Sequence, residues 1–290
     1  GSLRWPAFCC GVSTIKPTLG RAPAFNPSAV AERPPMAQLM SVQGPLCREV
    51  ADVRLALEVM SRRDVRDPWW VPAPLTGPPV PRRVARARIP ADMIADPEVI
   101  ARIDDAAGYL ADAGYEVAEV EVPDITAAFQ LWADLISTEI NAVQIEQMRA
   151  LGSAPFVGAL EGILHLANPL DAAGYIRGVA LRARLLREWL AFLETWPVVL
   201  APVSVQPAPA FDADLKGLEA VGRLFRNDLR FNVAISVLGL PVATTPVGFA
   251  NEAPIGVQLI GSRYREDVCL DAAAAIEARV GVLAHQLWAR

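Results

Sequence analysis

Lysine and histidine are both scarce in this sequence, which has two of each among its 290 residues. The histidines, His165 and His285, each stand alone in an apolar stretch, and no Gly-x-Ser-x-Gly turn accompanies either of them. A Ser-His-Asp hydrolase needs an imidazole that accepts the serine proton. We therefore interpret both histidines as partly buried helix residues, and the sequence does not favour a histidine-based triad.

Metal-binding and phosphate-binding patterns are missing as well. The four cysteines, Cys9, Cys10, Cys47 and Cys269, do not have the spacing of a zinc knuckle or a redox pair. No aspartate-rich loop, Walker motif or Rossmann glycine pattern occurs. We expect the cysteines to be small buried residues in a reducing compartment, so the sequence favours a cytoplasmic protein that binds no metal.

Neither a charge excess nor a long apolar run is present. The net charge is -5 with 20% charged residues and no block of one sign, which favours neither nucleic acid nor a membrane surface as a partner. The longest apolar runs, such as AISVLGLPVA, fall short of the roughly 18 residues that a membrane span needs. A hydrophobic content of 53% is enough for one large core. Because no linker divides the chain, we expect a single domain over residues 1–290.

One strand–helix–strand unit is clear from local signals. VARARI (84–89) predicts a strand, and Asp96 and Pro97 are typical of a helix cap and a first helical position. Gly114 follows the last predicted turn, and residues 115–123 alternate apolar and charged side chains as a half-exposed strand does. A unit of this length indicates two parallel strands.

The rest of the chain shows the same alternation of strands and helices. Strands are predicted at 198–204, 242–249 and 255–262, the last two as a hairpin, and helices at 48–60, 126–151, 171–196, 217–231 and 267–280. Together these elements predict an α/β fold in which a mixed central sheet is covered by helices on both faces.

The first 21 residues, GSLRWPAFCCGVSTIKPTLGR, resemble the core of the amidase signature family. There the pattern is a Gly-Gly-Ser-(Ile/Leu)-Arg-x-Pro-Ala run, followed by an aromatic residue, Cys, Gly and Lys-Pro-Thr-x-Gly-Arg. The resemblance continues at 41–60, in FNVAISVLGLPVATTPVGF (231–249) and in PIGVQLIGSRYRED (254–267), while residues 125–215 match only in style. Matching segments in the family's order imply the amidase signature fold, here as a domain truncated on its N-terminal side.

The resemblance also implies an activity. The family cleaves the C–N bond of carboxylic amides with a Ser-Ser-Lys arrangement, and its nucleophile matches Ser2, which would form an acyl-enzyme. The backbone N–H groups of Gly1 and Ser2 would belong to the oxyanion hole, and Arg4 would brace this loop without touching substrate. A serine hydroxyl needs a base. The family's base lysine and bridging serine would lie upstream of this chain, because Lys16 belongs to the Lys-Pro-Thr segment and Lys216 matches no motif.

The resemblance implies no metal and no organic cofactor, and the expected partner is a small-molecule amide, with a homodimer as a possibility. Two alternatives stay open at this point. One is an amidotransferase subunit that generates ammonia for a transamidation partner. The other is a truncated, catalytically dead remnant. Trp69 and Trp70 could line an acyl pocket or cover the core, and the second interpretation is favoured because large aromatic residues usually supply buried area.

Overall fold

The computed structural model describes residues 1–29 and 31–288, and its centre is a mixed sheet of seven strands. Three of its six strand pairings, the second, fourth and fifth across the sheet, join strands that are not consecutive along the chain. In chain order the strands are β1 (Ser13–Lys16), β2 (Leu46–Cys47), β3 (Arg83–Ala87), β4 (Glu116–Val120), β5 (Val198–Pro202), β6 (Val242–Ala250) and β7 (Ala253–Gly261). Their order in the sheet is β2-β1-β6-β7-β5-β3-β4.

Helices cover this sheet and connect most of its strands. In the described ranges, no helix combines the length and apolarity that a membrane crossing needs. The α-helices of those ranges are α1 (Arg4–Cys10), α2 (Pro35–Met40), α3 (Val50–Met60), α4 (Pro97–Asp112), α5 (Ile125–Val143), α6 (Ile145–Leu151), α7 (Ala154–Leu164), α8 (Ala172–Thr195), α9 (Leu218–Arg223), α10 (Arg230–Leu238), α11 (Glu266–Val280) and α12 (Leu283–Trp288).

Two apolar clusters lie on the two faces of the sheet. Residues of α2, α5, α8 and α10 belong to one cluster, and residues of α1, α3, α4 and α11 belong to the other. Strand β5 contributes to both, because successive side chains of a strand point to opposite faces. Val199 and Ala201 lie in the first cluster, whereas Val198 and Leu200 lie in the second. The predicted α/β class, with a mixed sheet covered on both faces, is confirmed.

The predicted strand–helix–strand unit is also confirmed. Strands β3 and β4 pair in parallel, and β3 pairs in parallel with β5 on its other side. The side chain of Asp96 accepts hydrogen bonds from the backbone N–H groups of Glu98, at 2.8 Å, and Val99, at 3.4 Å. Gly114, after the end of α4, has a φ of 88°, a left-handed conformation that glycine adopts without strain.

Strands β6 and β7 form the predicted antiparallel hairpin. Asn251 and Glu252 make its turn with φ values of 47° and 67°, which suits the right-handed twist of the flanking strands. The register shifts between Pro246 and Gly248, where a proline can sit in a strand because the ladder is interrupted. This hairpin lies in the middle of the sheet, between β1 and β5.

Two predicted helices are wrong in their continuity. The predicted helix 126–151 is two helices, α5 and α6, which are separated at Gln144. The predicted helix 217–231 is α9, a π-helical turn at Leu224–Asp228 and the start of α10, which continues to Leu238. Every residue of α10 is buried, so this helix has no polar face from which its period could be detected.

The expectations for the histidines and for one cysteine are wrong as well. His165 follows the end of α7 and His285 lies on α12, and both side chains are exposed. All four cysteines are free thiols, and Cys269 is buried as expected, but Cys10 is exposed on the last turn of α1. The short α1 presents one face to the sheet, so its last residue faces outward although its sequence neighbours are apolar.

Candidate active site

Ser2 lines a cavity of about 360 Å³, which we call the Ser2 cavity. The cavity lies where the segment before α1 meets the end of β1 and helices α5 and α10. Its lining comprises residues 1–4, Lys16, residues 40–43, Trp132, Ile136 and Ser236. The three sequence-predicted site residues, Gly1, Ser2 and Arg4, are thus brought to one place together with groups from four other segments.

A backbone hydrogen bond stabilises the turn that carries Ser2. The backbone N–H of Trp5 donates to the carbonyl oxygen of Gly1 at 2.9 Å, while the Ser2 side chain stays exposed. A Cβ atom at position 1 would overlap the side-chain amide of Asn232. Only glycine therefore fits at position 1 without moving a buried side chain. Within the described ranges, the backbone N–H of Ser2 has no hydrogen-bond acceptor and is free to meet a ligand.

Arg4 joins this turn to the sheet and to α10. Its side chain is fully buried and donates to the carbonyl oxygen of Asn232 at 2.6 Å, to Ser236 Oγ at 2.9 Å and to Gln258 Oε1. Gln258 in turn donates to the carbonyl oxygen of Pro202 at 2.8 Å, on the next strand. Hydrogen bonds from a charged donor are stronger than neutral ones. Arg4 therefore fixes the position of the turn two residues after Ser2.

Lys16 brings a buried amine to the same cavity, which sequence reasoning did not anticipate. It ends β1, is 5% exposed, and its Nζ donates to the carbonyl oxygen of Pro17 at 3.0 Å. It forms no salt bridge with any residue that the structure describes. Burial and, secondarily, the positive charge of Arg4 lower the pKa of Lys16 to about 7. This amine is therefore partly neutral near pH 7.

Replacing Lys16 with methionine is expected to raise Tm most at acidic to neutral pH. Below its folded pKa of about 7 the folded protein must bury a charged amine, whereas near the ordinary lysine pKa of 10.5 the amine is losing its proton in the unfolded chain too. The Tm advantage of Lys16→Met should therefore shrink as the pH rises from about 7 to about 10.5. Thermal melts of both proteins at pH 6, 8 and 10 measure this difference.

Lys216→Met provides the matched control for that experiment, since Lys216 is an exposed lysine and not part of the Ser2 cavity. Its Tm difference from the unmodified chain should stay near zero at all three pH values. A Lys16→Met difference that is constant between pH 6 and 10 would contradict the burial of an unpaired amine at this position.

One side of the Ser2 cavity is apolar. Trp132 and Ile136 stand one turn apart on α5, so both side chains point from the same face of that helix. Met40 and Val42 contribute from the segment at the end of α2. The sequence contains a signal for this wall, because the i, i+4 spacing on α5 pairs the two side chains, but it does not show which partner they face.

Other residues that the sequence singled out lie elsewhere. His165 and His285 are exposed and do not line the Ser2 cavity. Trp69 and Trp70 also lie outside its lining, where their indole N–H groups donate to Gln38 Oε1 and to the carbonyl oxygen of Ser61, both at 3.0 Å. Among the residues that the structure describes, no group of three or more His, Cys, Asp or Glu side chains could hold a metal ion.

Comparison with known proteins identifies the family. The family model described as Amidase matches residues 1–270. Proteins named indoleacetamide hydrolase from Bradyrhizobium diazoefficiens and Bradyrhizobium japonicum are 56% and 54% identical to the chain over 290 residues, which is 99% of the chain in each case. The chain spans 55% and 62% of the length of these two relatives.

The fold agrees with that assignment. The structure of 6-aminohexanoate cyclic dimer hydrolase in complex with its substrate superimposes with a TM-score of 0.76 at 24% sequence identity. The match covers 97% of this chain and 63% of that protein. With a family model that matches from the Ser2 turn into the first turn of α11, and two relatives more than half identical, the chain belongs to the amidase signature family.

Proposed function

We propose that this protein hydrolyses a carboxylic amide through an acyl-enzyme on Ser2, and that its substrate is an arylacetamide such as indoleacetamide. The observation that carries the proposal is the position of Ser2: an exposed hydroxyl at a cavity with one polar and one apolar side. The two relatives that are more than half identical are named for indoleacetamide hydrolysis, which supports this choice of substrate.

The reaction follows from the chemistry of a serine nucleophile. Ser2 Oγ forms a bond to the amide carbonyl carbon as its proton is removed. The C–N bond then breaks, and the departing nitrogen takes up a proton and leaves as ammonia. Water attacks the resulting ester, so that the carboxylate is released and the hydroxyl of Ser2 is restored. No electrons are exchanged with a cofactor in either step.

The residues around Ser2 supply the other requirements. The backbone N–H of Ser2, which is free of an internal acceptor, and that of Gly1 would stabilise the oxyanion that develops on the carbonyl oxygen. Arg4 is a positioning residue in this scheme, because its hydrogen bonds hold the turn while the Ser2 side chain remains accessible. An oxyanion donor works only if it is fixed before the reaction, so a rigid turn at this place favours catalysis.

The base is the part of the scheme that rests on the family resemblance. A lysine acting through a second serine would take the proton of Ser2, and both would lie upstream of this chain. Lys16 is not assigned this role, since it belongs to the Lys-Pro-Thr segment. Its buried amine instead adds a positive or neutral hydrogen-bond donor to the polar side of the cavity.

A chimera tests the proposal. In it, residues 1–290 replace the corresponding portion of the Bradyrhizobium diazoefficiens indoleacetamide hydrolase, which is 56% identical over that length. The chimera should release ammonia from indoleacetamide and phenylacetamide. The 290-residue chain alone, assayed in parallel, should show at most a small fraction of that rate because it lacks the base.

The same assay separates the alternatives. An amidotransferase subunit would release ammonia from glutamine in preference to an arylacetamide, so glutamine is included as a second substrate. A catalytically dead remnant would give a folded chimera that hydrolyses neither amide. Either result would contradict the proposed function.

A further inference from the structure

The apolar side of the Ser2 cavity contains one large aromatic ring, that of Trp132. The side chain is half-buried on α5, one turn before Ile136, which lines the same cavity. Both residues lie on one face of α5 and line the same cavity as Ser2. Trp132 is therefore placed to contact the part of a ligand that extends away from the reacting amide.

Two neighbouring aromatic rings hold the Trp132 ring in a fixed orientation. It stacks on the ring of Phe225 with 5.6 Å between ring centroids and only 8° between the ring planes. Phe129, one turn earlier on α5, also packs on Trp132, with 6.2 Å between the ring centroids and 34° between the ring planes. A ring that is stacked on one side leaves its remaining surface for the cavity, and it does not have to be ordered when a ligand binds.

The stacking of Phe225 on Trp132 depends on an unusual backbone segment. Phe225 lies in the π-helical turn Leu224–Asp228, between α9 and α10. π-helical turns are rare and occur often at functional sites. Here the turn places an aromatic side chain directly beneath a residue of the cavity wall, which a regular continuation of α9 into α10 would displace. The π turn therefore supplies the ring that stacks on Trp132.

We propose that Trp132 is the residue that selects aromatic acyl groups, by stacking on the planar ring of the substrate while its amide reaches Ser2. This inference rests on the proposed function and deepens it, because it names the side chain that recognises the aromatic acyl group. Aromatic rings attract each other in offset-stacked or edge-to-face geometry beyond the area that they bury. A saturated ring of the same size buries similar area but lacks that attraction.

The test measures binding, because binding does not need the base. Phenylacetamide and cyclohexylacetamide form a pair of equal carbon skeleton that differs in aromaticity, and their dissociation constants for the purified 290-residue chain are measured by calorimetry. The unmodified chain should bind phenylacetamide more tightly. Trp132→Leu should weaken phenylacetamide binding about tenfold and cyclohexylacetamide binding less than threefold, whereas Trp132→Phe should keep most of the preference.

Two further variants complete the design. Trp69→Leu changes a tryptophan outside the cavity lining and should leave both dissociation constants unchanged. Phe225→Leu removes the ring that stacks on Trp132 and should reduce the preference for phenylacetamide over cyclohexylacetamide. Thermal melts check that each variant is folded. If Trp132→Leu is unfolded, the test relies on the aromatic preference of the other two variants: Trp132→Phe should keep most of it, and Phe225→Leu should lose part of it.

Several outcomes would overturn the inference. They are equal losses for the two ligands in Trp132→Leu, no loss for either, or no preference for phenylacetamide in the unmodified chain. The proposed function is judged separately, by ammonia release from the chimera. Selective binding without turnover would refute the hydrolysis proposal alone, and turnover of aromatic and saturated amides at equal efficiency would refute the role of Trp132 alone.

Discussion

Alanine in place of Ser2 is expected to abolish amide hydrolysis by the chimera, with kcat lowered by a factor of about 10⁴ or more. The change removes the oxygen that would form the acyl bond, and no neighbouring group can replace it at the same position. The Ser2 side chain is exposed and makes no hydrogen bond to any residue that the structure describes, so the free energy of unfolding should change by less than about 0.5 kcal/mol. A loss of activity without a loss of stability would therefore indicate a chemical role.

The measurement pairs initial rates of ammonia release with mass spectrometry of the protein after brief exposure to substrate. The acyl adduct should appear on the chimera and be absent from its Ser2→Ala form. Ser28→Ala is the matched control, because Ser28 is an exposed serine of the loop after β1 and is remote from the cavity lining. If Ser2→Ala retains a rate within tenfold of the parent, another group is the nucleophile and the proposed mechanism is wrong.

Glu266→Ala is expected to cause the largest loss of stability, about 3–5 kcal/mol in the free energy of unfolding. Glu266 and Arg21 form an ion pair at 2.8 Å in which each side chain is only 1% exposed. The other carboxylate oxygen of Glu266 accepts a hydrogen bond from the backbone N–H of Thr18 at 2.8 Å. Removing the carboxylate leaves a buried guanidinium without its counter-charge and an N–H without its acceptor, and burial makes both costly.

This pair connects distant parts of the fold. Arg21 also donates to the carbonyl oxygens of Ala73, at 2.6 Å, and Tyr264, at 3.1 Å. The segment after β1, the proline-rich segment at residues 63–81 and the start of α11 therefore meet at one guanidinium. Since β1 ends at Lys16, a loosened Arg21 should also disturb the polar side of the Ser2 cavity.

Urea unfolding curves measure the effect, and two comparisons make it specific. Asp271 lies on the same helix as Glu266 and forms an ion pair with Arg54 of α3. The side chains of Asp271 and Arg54 are 62% and 43% exposed, so the loss in Asp271→Ala should be below about 1 kcal/mol. The double variant Arg21→Met with Glu266→Leu should be more stable than Glu266→Ala, because it leaves no unpaired charge. Equal losses in the buried and the exposed pair would show that the burial of Glu266 does not matter.

Local sequence signals predicted the elements whose ends are marked by caps or turn residues. Asp96, Pro97 and Gly114 mark the two ends of α4 because caps act within one turn of backbone. The hairpin of β6 and β7 was predictable from the turn residues between its strands, although both strands are largely buried. The helix α10 was not predictable with its true bounds, since it is buried on every side and periodicity disappears when all faces are apolar.

The break at Gln144 and the π turn at Leu224–Asp228 are of another kind. Helix propensity continues across both, so a reading of the sequence predicts unbroken helices there. At the π turn the departure from a regular helix accompanies a tertiary contact, because Phe225 of this turn stacks on the ring of Trp132.

The sequence by itself determined the fold class, the family and Ser2 as the candidate nucleophile, because these depend on residue order within short segments. The tertiary structure alone decided what surrounds Ser2. Lys16, Trp132 and Ser236 reach one cavity from β1, α5 and α10, which lie far apart along the chain. Their meeting follows from the order of strands in the sheet and from the faces that helices bury against it, and no local preference of the backbone encodes either.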